Sequence, residues 1–352
     1  MEAGTFLDQF DFTKIEEILN QCGLGDRLSF SGLVGTIVRG NWVELKEMLQ
    51  SYFGQVFLGD LVYNREILVQ AMAAAVFSAV FTTFSSVFRN SQIAENGFLV
   101  SYLFLVSLVI ASVILSVGIA SDVLQTLLTF MRAFIPAFSL ALTFTTGSGG
   151  ALVYDQTIFM ICYGVEYGMN LFVIPLVEMN VLLCITNHIS KDGLLEKLEG
   201  LSESVLNWAM KSMLMAVIGI QMIQNLVVPL LQSRKISLVQ KAIGVIPGIG
   251  DGVEAVSDIV LGTGMLIQNA MGAGALIVLV LCCAVPLGKL ALTALMYQLA
   301  AAVIQPVADK RMVETLACAG RAARFLLKMV FVCCVLLFIT VALICTAVTG
   351  KF

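Results

Sequence analysis

Residues 259–288 read IVLGTGMLIQNAMGAGALIVLVLCCAVPLG, a stretch of thirty residues without one charged side chain. As an α-helix rising about 1.5 Å per residue, this stretch is longer than the hydrocarbon core of a bilayer, which is about 30 Å thick. Uninterrupted apolar character of this length is typical of a membrane-spanning helix and exceeds what a soluble core helix requires.

The rest of the chain repeats this pattern. Of its 352 residues, 59% are hydrophobic and only 12% are charged, whereas soluble domains carry about 25% charged residues. Residues 156–188 form one further apolar segment, although it contains Glu166, Pro175 and Glu178. The other long uncharged runs are 67–88, 96–121, 133–154, 212–233, 290–308 and 329–350. The sequence therefore predicts an all-α, polytopic membrane helical bundle of about seven or eight hydrophobic segments, some of them broken or re-entrant.

One boundary between these segments has two interpretations. Pro286, Gly288 and Lys289 separate 259–288 from 290–308. They are compatible with a tight turn between two spans or with a kink in one long helix. We expect the turn, because eight spans bring most basic residues to one side, as the positive-inside rule requires. That arrangement places in the cytoplasm Arg89, Arg234, Lys235, Lys241, Lys310, Arg311, Arg321, Arg324 and Lys328.

The amino-terminal region, residues 1–65, differs from the remaining membrane domain, residues 66–350. Thr13 and Glu16 have the spacing of a helix capping box, and Ile15, Ile18 and Leu19 follow on one helical face. A second apolar stripe consists of Trp42, Leu45, Leu49, Tyr52 and Val56. We expect two or three short amphipathic helices outside the cytoplasm, which lie on the membrane or pack together.

A glycine-rich break precedes the opening stretch. Gly244, Gly248 and Gly252 are four residues apart, a spacing that lets backbones approach closely, and Pro247 prevents an unbroken helix. We expect a broken or re-entrant element at 241–250 and a new helix that begins near Asp251. Small residues continue along that helix and favour close packing by another helix, from this chain or a neighbour; they include Gly262, Gly264, Gly272 and Gly274.

Two charge stripes flank the apolar residues in the sequence, one before 259 and one after 308. Asp251, Glu254 and Asp258 share one helical face. The basic stripe that follows comprises Lys310, Arg321, Arg324 and Lys328. The basic stripe either anchors to anionic lipid or pairs with the acidic stripe, within one chain or between chains. We predict the pairing.

Polar residues inside the apolar segments are informative because they are expensive at membrane depth. They either pair between helices, with Arg132 and Lys211 neutralised by Glu166 and Glu178, or line a conduit. The candidates are Arg132, Glu166, Asn170, Glu178, Lys211, Asn225, Gln298 and Gln305.

Catalytic and cofactor motifs are missing from the sequence. It contains no P-loop, no G-x-S-x-G elbow and no C-x-x-C pair, and His188 is its one histidine. We therefore expect no enzyme, no metal and no cofactor. The net charge of −4 argues against nucleic-acid binding.

Two stretches resemble a known family. KAIGVIPGIGDGVEAVSDIVLGTGMLIQNAMGAGALIVLVLCCAVPLGKLALTALMYQLAAAVIQPVADKRM, residues 241–312, is similar to stage III sporulation protein AE of endospore-forming bacteria, and so is SGGALVYDQTIFMICYGVEYGMNLFVIPLV, residues 148–177. The similarity covers about residues 66–350. Members usually carry a signal sequence, and since none is evident here we expect a mature or trimmed form.

The resemblance implies a role in the apparatus that links mother cell and forespore. It implies a location in the mother-cell-derived outer forespore membrane, and no catalytic residues. The implied partners are other proteins of the same operon, including a secretion-type ATPase and intermembrane ring proteins. We expect a homo-oligomeric channel or export platform; the alternatives are a secondary transporter of a small molecule and a pore-less scaffold that recruits the ATPase and rings.

Overall fold

The computed structural model describes residues 12–21, 29–44, 46–47, 91–146, 160–189, 195–232, 250–306 and 308–349, and the single positions 69, 73, 76 and 80. Within the long helices, side chains are described for 98–139, 160–188, 195–220, 222, 266–306 and 308–342. A helix begins at Gly250, close to the expected start at Asp251. The rest of the predicted break, 241–249 with Gly244, Pro247 and Gly248, lies outside the described residues. So do the side chains of Asn225, Asp251, Gly252, Glu254 and Asp258.

Every described element is helical, which confirms the all-α prediction for this part of the chain. A continuous helical run, α4, covers 160–189 and includes a π-helical turn at Met169–Val173 before the segment Ile174–Ile189. The other helices are α1 (Thr13–Gln21), α2 (Phe30–Val38), α3 (Ser91–Thr146), α5 (Glu196–Gln232), α6 (Gly250–Ile304) and α7 (Lys310–Thr349).

Two helices are longer than the sequence patterns indicated. Helix α3 has 56 residues with Pro136 inside it, and α6 has 55 residues with Pro286 inside it. Segments 259–288 and 290–308 were expected as two spans joined by a turn, but Lys289 lies inside α6. Likewise, 96–121 and 133–154 belong largely to one helix. Proline costs a helix one hydrogen bond, which an apolar helix packed in a bundle tolerates.

Four helices of the described part are long and apolar enough to cross a membrane. They are Phe98–Ser139, Met160–His188, Leu266–Ile304 and Lys310–Ala342. The predicted segment 67–88 lies outside the described residues apart from its single helical positions, and 212–233 falls almost wholly in α5.

Contacts along the helices give their directions. Thr315, early in α7, bonds Tyr102, early in α3, at 3.0 Å, so these helices run parallel. The Tyr102 hydroxyl also donates to the carbonyl of Ile185, late in α4, at 3.3 Å. At the other end, Cys162, early in α4, meets Thr340, late in α7, at 2.9 Å, so α4 is antiparallel to α7.

The remaining helices alternate in the same way. Early in α5, Glu199 pairs with Arg321 of α7 at 2.8 Å, and further along Asn207 meets Lys328 at 3.5 Å, so α5 is parallel to α7. Helix α6 is antiparallel to α7, because a Cβ on Gly320 would lie 3.4 Å from Tyr297 Cβ, near the end of α6. Helices α3 to α7 therefore form an up-and-down bundle.

Helices α5, α6 and α7 each consist of an uncharged part and a part that carries charged residues. Residues 212–232 of α5, 259–288 of α6 and 329–349 of α7 are uncharged, and the helix directions bring all three to the same end. Each uncharged stretch is about 30 Å long or more, which matches a hydrocarbon core. We call this end the uncharged half. The charged half comprises 196–211 of α5, 289–304 of α6 and 310–328 of α7.

This arrangement corrects the predicted topology. Eight spans put Lys197 and the 310–328 cluster on opposite sides of the membrane. The ion pair between Glu199 and Arg321 brings Lys197 and the 310–328 cluster to the same end of the bundle. The prediction failed because α6 is one continuous helix where two spans were expected. Helix α5 ends at Gln232, at the far end of the bundle. The basic cluster at 234–241, which follows Gln232 in the sequence, lies outside the described residues, so its predicted side stays a prediction.

The two amino-terminal helices pack onto the bundle. Ile15, Ile18 and Leu19 of α1 are buried on one face, as predicted. The Glu16 carboxylate reaches the start of α2, where it accepts from Ser29 Oγ at 2.9 Å and from the Ser31 amide at 3.2 Å.

Helix α2 occupies the small-residue face of α6. A Cβ on Gly274 would lie 3.2 Å from Leu33 Cδ2 and 3.3 Å from Val34 Cγ2. The small residues were expected to pack against another helix, from this chain or a neighbour. At Gly274 that helix is α2 of the same chain. Of the second apolar stripe, Trp42 is 67% exposed, and the other four residues lie outside the described part.

Candidate functional site

A half-buried arginine organises the charged half of the bundle. Arg321 of α7 pairs with Glu199 and Glu203 of α5, with Nη2 2.8 Å from Glu199 Oε1 and Nε 3.2 Å from Glu203 Oε1. Its Nη1 lies 3.9 Å from Glu314, about two turns earlier in α7. We call these four residues the Arg321 cluster. Since the side chains of Arg321 and Glu199 are only 24% and 12% exposed, solvent screens this pair weakly.

The end of α4 holds Glu199 in place. Asn187, near the end of α4, donates to Glu199 Oε2 at 3.1 Å. The carbonyl oxygen of the same amide accepts from the backbone amide of Leu195 at 2.9 Å, just before α5 begins. One side chain thus fixes both the start of α5 and the orientation of the carboxylate that meets Arg321.

A cavity of about 790 Å³ opens beside the Arg321 cluster. Its volume is within the range of about 300–1,000 Å³ that is typical of small-molecule sites. The lining residues come from α4, α5 and the start of α7, and acids outnumber bases among them: Asn187, His188, Glu196, Glu199, Gly200, Glu203, Asp309, Lys310, Arg311, Glu314 and Arg321. Most of this charge is already paired, since Arg311 also binds Asp309 at 3.3 Å.

Three groups beside the cavity have the chemistry of metal ligands. Cys184 Sγ, a ring nitrogen of His188 and a Glu199 oxygen lie within 4.8 Å of one another. Arg321 Nη2 already lies 3.0 Å from Cys184 Sγ and 2.8 Å from Glu199 Oε1, and His188 Nδ1 lies 2.7 Å from the Cys184 carbonyl oxygen. The guanidinium of Arg321 therefore occupies the position that a metal ion would need. Cys184 and Glu199 bind this arginine in place of a metal ion.

The basic stripe has partners other than the predicted ones. Arg321 binds Glu199 and Glu203, as described above. With the Gln298 amide oxygen turned toward α7, it accepts from Nε and Nη1 of Arg324, each at 3.0 Å. Lys310 is exposed at the cavity rim. The stripe was predicted to pair with Asp251, Glu254 and Asp258. Arg321 binds other acids, and because the side chains of the three predicted partners lie outside the described residues, their own pairing stays a prediction.

The acids that Arg321 binds carried a signal in the sequence that we did not use. Glu196, Glu199 and Glu203 have the i, i+3, i+7 spacing of Asp251, Glu254 and Asp258. Both triplets therefore place three carboxylates on one helical face.

The predicted polar residues of the apolar segments separate into two groups. Arg132, Glu178, Lys211 and Gln305 are exposed, whereas Asn170 and Gln298 are half-buried. Arg132 bonds the Tyr163 hydroxyl and lies 5.0 Å from the centre of its ring. The expected neutralisation of Arg132 and Lys211 by Glu166 and Glu178 is wrong for the described part of the chain, where no ion pair joins them.

Glu166 is the one charged-type residue of that set that is fully buried. It is 0% exposed, and neither carboxylate oxygen has a hydrogen-bond partner among the described residues. Cys334 and Cys333 of α7 and Cys283 of α6 are its titratable neighbours.

Comparison with known proteins agrees with the predicted resemblance. The family model for stage III sporulation protein AE matches residues 28–348, from just before α2 to the end of α7. The curated stage III sporulation protein AE of Bacillus subtilis (strain 168) is 20% identical over 303 residues, which cover 86% of this chain and 76% of that protein. No solved structure matches. The chain belongs to the stage III sporulation protein AE family, whose members are membrane proteins involved in sporulation.

Proposed function

We propose that this protein is the subunit of a homo-oligomeric channel or export platform in the sporulation complex that links mother cell and forespore. Its place is the mother-cell-derived outer forespore membrane. Its partners are proteins of the same operon, including a secretion-type ATPase and intermembrane ring proteins. Membership of the family supports the sporulation setting, and the bundle supports the oligomer.

The interior of the bundle is filled with apolar side chains. Val173, Leu326, Met329, Val330 and Leu337 all have 0% exposure along the interface of α4 and α7. Such packing leaves no width for an aqueous path between these helices. In the described part of the chain, a conduit therefore fits between subunits better than through one.

The observation that carries the proposal is an exposed arginine in an apolar helix. Arg132 lies in the candidate span Phe98–Ser139 and bonds Tyr163 of α4. The neighbouring Cys162 contacts Thr340 of α7, so Arg132 lies at the level of the uncharged half. A lipid-facing arginine at that depth costs at least about 2.5–3.5 kcal/mol. The Arg132 face of α3 therefore fits a water-filled space between neighbouring chains.

The charges also favour one orientation. The charged half carries many more basic residues than 234–241, which follows the far end of α5; they are Lys197, Lys211, Lys289, Lys310, Arg311, Arg321, Arg324 and Lys328. By the positive-inside rule, the charged half then faces the mother-cell cytoplasm, where the ATPase would bind.

Imaging of the purified chain in nanodiscs tests the oligomer, and conductance in planar bilayers tests the conduit. A closed ring that conducts is expected. Arg132→Glu should then shift ion selectivity toward cations, while Lys197→Glu, an exposed change in the charged half, should not.

The other outcomes discriminate between functions. A ring without conductance identifies the pore-less scaffold, which a packed interior fits equally well. A monomer that exchanges small solutes identifies a secondary transporter and refutes the platform.

A further inference from the structure

Glu166 is a fully buried carboxyl group at the level of the uncharged half, and it has no hydrogen-bond or ion-pair partner among the described residues. Glu166 lies in α4, and the level of the group is fixed by its neighbours: Cys333 Sγ is 3.0 Å from Met169 Sδ, three residues further along α4. Cys333 and Cys334 lie in the uncharged half of α7. The carboxyl is therefore surrounded by helices at membrane depth, with 0% exposure.

An isolated carboxylate in such a place is strongly disfavoured, because no charged side chain among the described residues compensates for its lost hydration. The titratable groups of α6 and α7 that interact electrostatically with Glu166 are thiols: Cys333 and Cys334 from α7 and Cys283 from α6. From α5, Met213 Cε would lie 3.9 Å from a Cβ on Gly168, and the nearby Lys211 is exposed with no ion pair among the described residues. From α3, the exposed Arg132 binds the hydroxyl of Tyr163, one turn before Glu166, and forms no ion pair with the carboxyl. Burial without a charged partner favours the neutral, protonated carboxyl.

The backbone next to Glu166 is irregular. The π-helical turn Met169–Val173 begins three residues after it. Single π turns occur frequently at functional sites, and they interrupt the regular hydrogen-bond ladder of an α-helix. This turn gives α4 a place where the segment that bears Glu166 can rotate relative to Ile174–Ile189.

We propose that Glu166 is a reversible proton-binding site in the membrane-embedded half of the bundle, and that its protonation is what allows α4 to pack against α6 and α7. When the carboxyl releases its proton, the remaining charge lies among thiols and apolar side chains. The packed arrangement is then destabilised, and α4 must move to expose the carboxylate to water or to a cation.

Stability against pH tests this proposal on the full chain in nanodiscs. The folded state binds the Glu166 proton more tightly than the unfolded state, so stability is present at low pH and is lost as pH rises. Between about pH 5 and 8, below the range of ordinary thiols, the unfolding equilibrium constant should increase by up to about tenfold per pH unit from this group. Glu166→Gln, which keeps the shape of the neutral acid, should remove that dependence.

The matched control is Glu178→Gln, an exposed change on the same helix, which should keep the wild-type pH dependence. Every other titratable group, His188 included, is present in all three chains, so the difference between wild type and Glu166→Gln reports on Glu166. If Glu166→Gln retains the wild-type dependence, or is destabilised equally at every pH, the proposal is wrong.

A second measurement does not depend on unfolding. Infrared spectroscopy of the folded chain in nanodiscs resolves the carbonyl stretch of a protonated carboxyl group. At neutral pH, the band of a buried protonated carboxyl should be present in the wild type and in Glu178→Gln and should be lost in Glu166→Gln. A band that is the same in all three chains would overturn the proposal. Neither readout requires a channel, so its failure is separate from failure of the proposed function.

Discussion

Breaking the Arg321 cluster should reveal how the charged half is held together. Replacing Glu199 by Gln leaves Arg321 with Glu203 at 3.2 Å and Glu314 at 3.9 Å, so the arginine keeps some compensation. We expect this change to lower the free energy of unfolding by about 1–2 kcal/mol. Replacing Arg321 by Met leaves three carboxylates close together without their cation, and we expect a loss of about 2–3 kcal/mol, below the value for a fully buried pair.

A double-mutant cycle isolates the contact between Arg321 and Glu199. The 2.8 Å distance and the 24% and 12% exposures place this pair between a surface bridge, about 0–1 kcal/mol, and a buried one. The coupling energy should therefore be about 1–2 kcal/mol, measured by reversible unfolding in mixed micelles. Arg324→Met is the matched control, because Arg324 is exposed and meets the neutral Gln298; it should cost about 0.5 kcal/mol or less.

The same assay compares the two acidic stripes. Arg321→Met combined with Glu254→Gln should be additive, since Arg321 binds Glu199 and Glu203. The opposite result would refute the assignment of partners made from the structure: free energies of unfolding that are additive for Arg321→Met with Glu199→Gln, and coupled for Arg321→Met with Glu254→Gln.

Two further predictions follow from the fold. On a cysteine-free background, Ser204→Cys and Lys310→Cys should react with an impermeant thiol reagent from the same side of the membrane, and Gln232→Cys, at the far end of α5, from the other. Labelling of Ser204→Cys and Lys310→Cys from opposite sides would contradict the single crossing of α6. Gly274→Leu should cost about 1–3 kcal/mol by overpacking against Leu33 and Val34, whereas Gly219→Leu, where a Cβ meets nothing within 4 Å, should be nearly neutral; equal effects on the measured unfolding midpoint would argue against docking of α2 at Gly274.

The membrane class and the helical periodicity could be predicted from composition and apolar length, because both are local properties of the sequence. The number of crossings could not. Pro286, Gly288 and Lys289 are compatible with a turn or a continuous helix, and only packing against α7 distinguishes them. One error there put Lys197 and the 310–328 cluster on opposite sides, whereas the ion pair between Glu199 and Arg321 brings them together.

The candidate site shows a similar limit. The spacing of Arg321, Arg324 and Lys328 correctly places positive charge along α7, but spacing within one helix does not identify the helix opposite. Two acidic triplets of identical spacing were available, at 196–203 and 251–258. The choice between them depends on helix directions, which follow from distant contacts such as Tyr102 with Thr315. The burial of Glu166 was likewise inaccessible, because Glu178 lies in the same apolar segment and is exposed.

Mechanical stiffness follows from the way the helices cross the boundary between the two halves. Helices α5 and α7 each pass from the charged half into the uncharged half without a proline or a π turn at that boundary. An uninterrupted α-helix bends only gently, so a pull or twist applied to the charged half reaches the other half with little slack. Helices α4 and α6 differ, because α4 has a π turn at Met169–Val173 and α6 has Pro286 close to the boundary. Torque applied at the charged end would therefore turn α5 and α7 as levers while α4 yields beside Glu166.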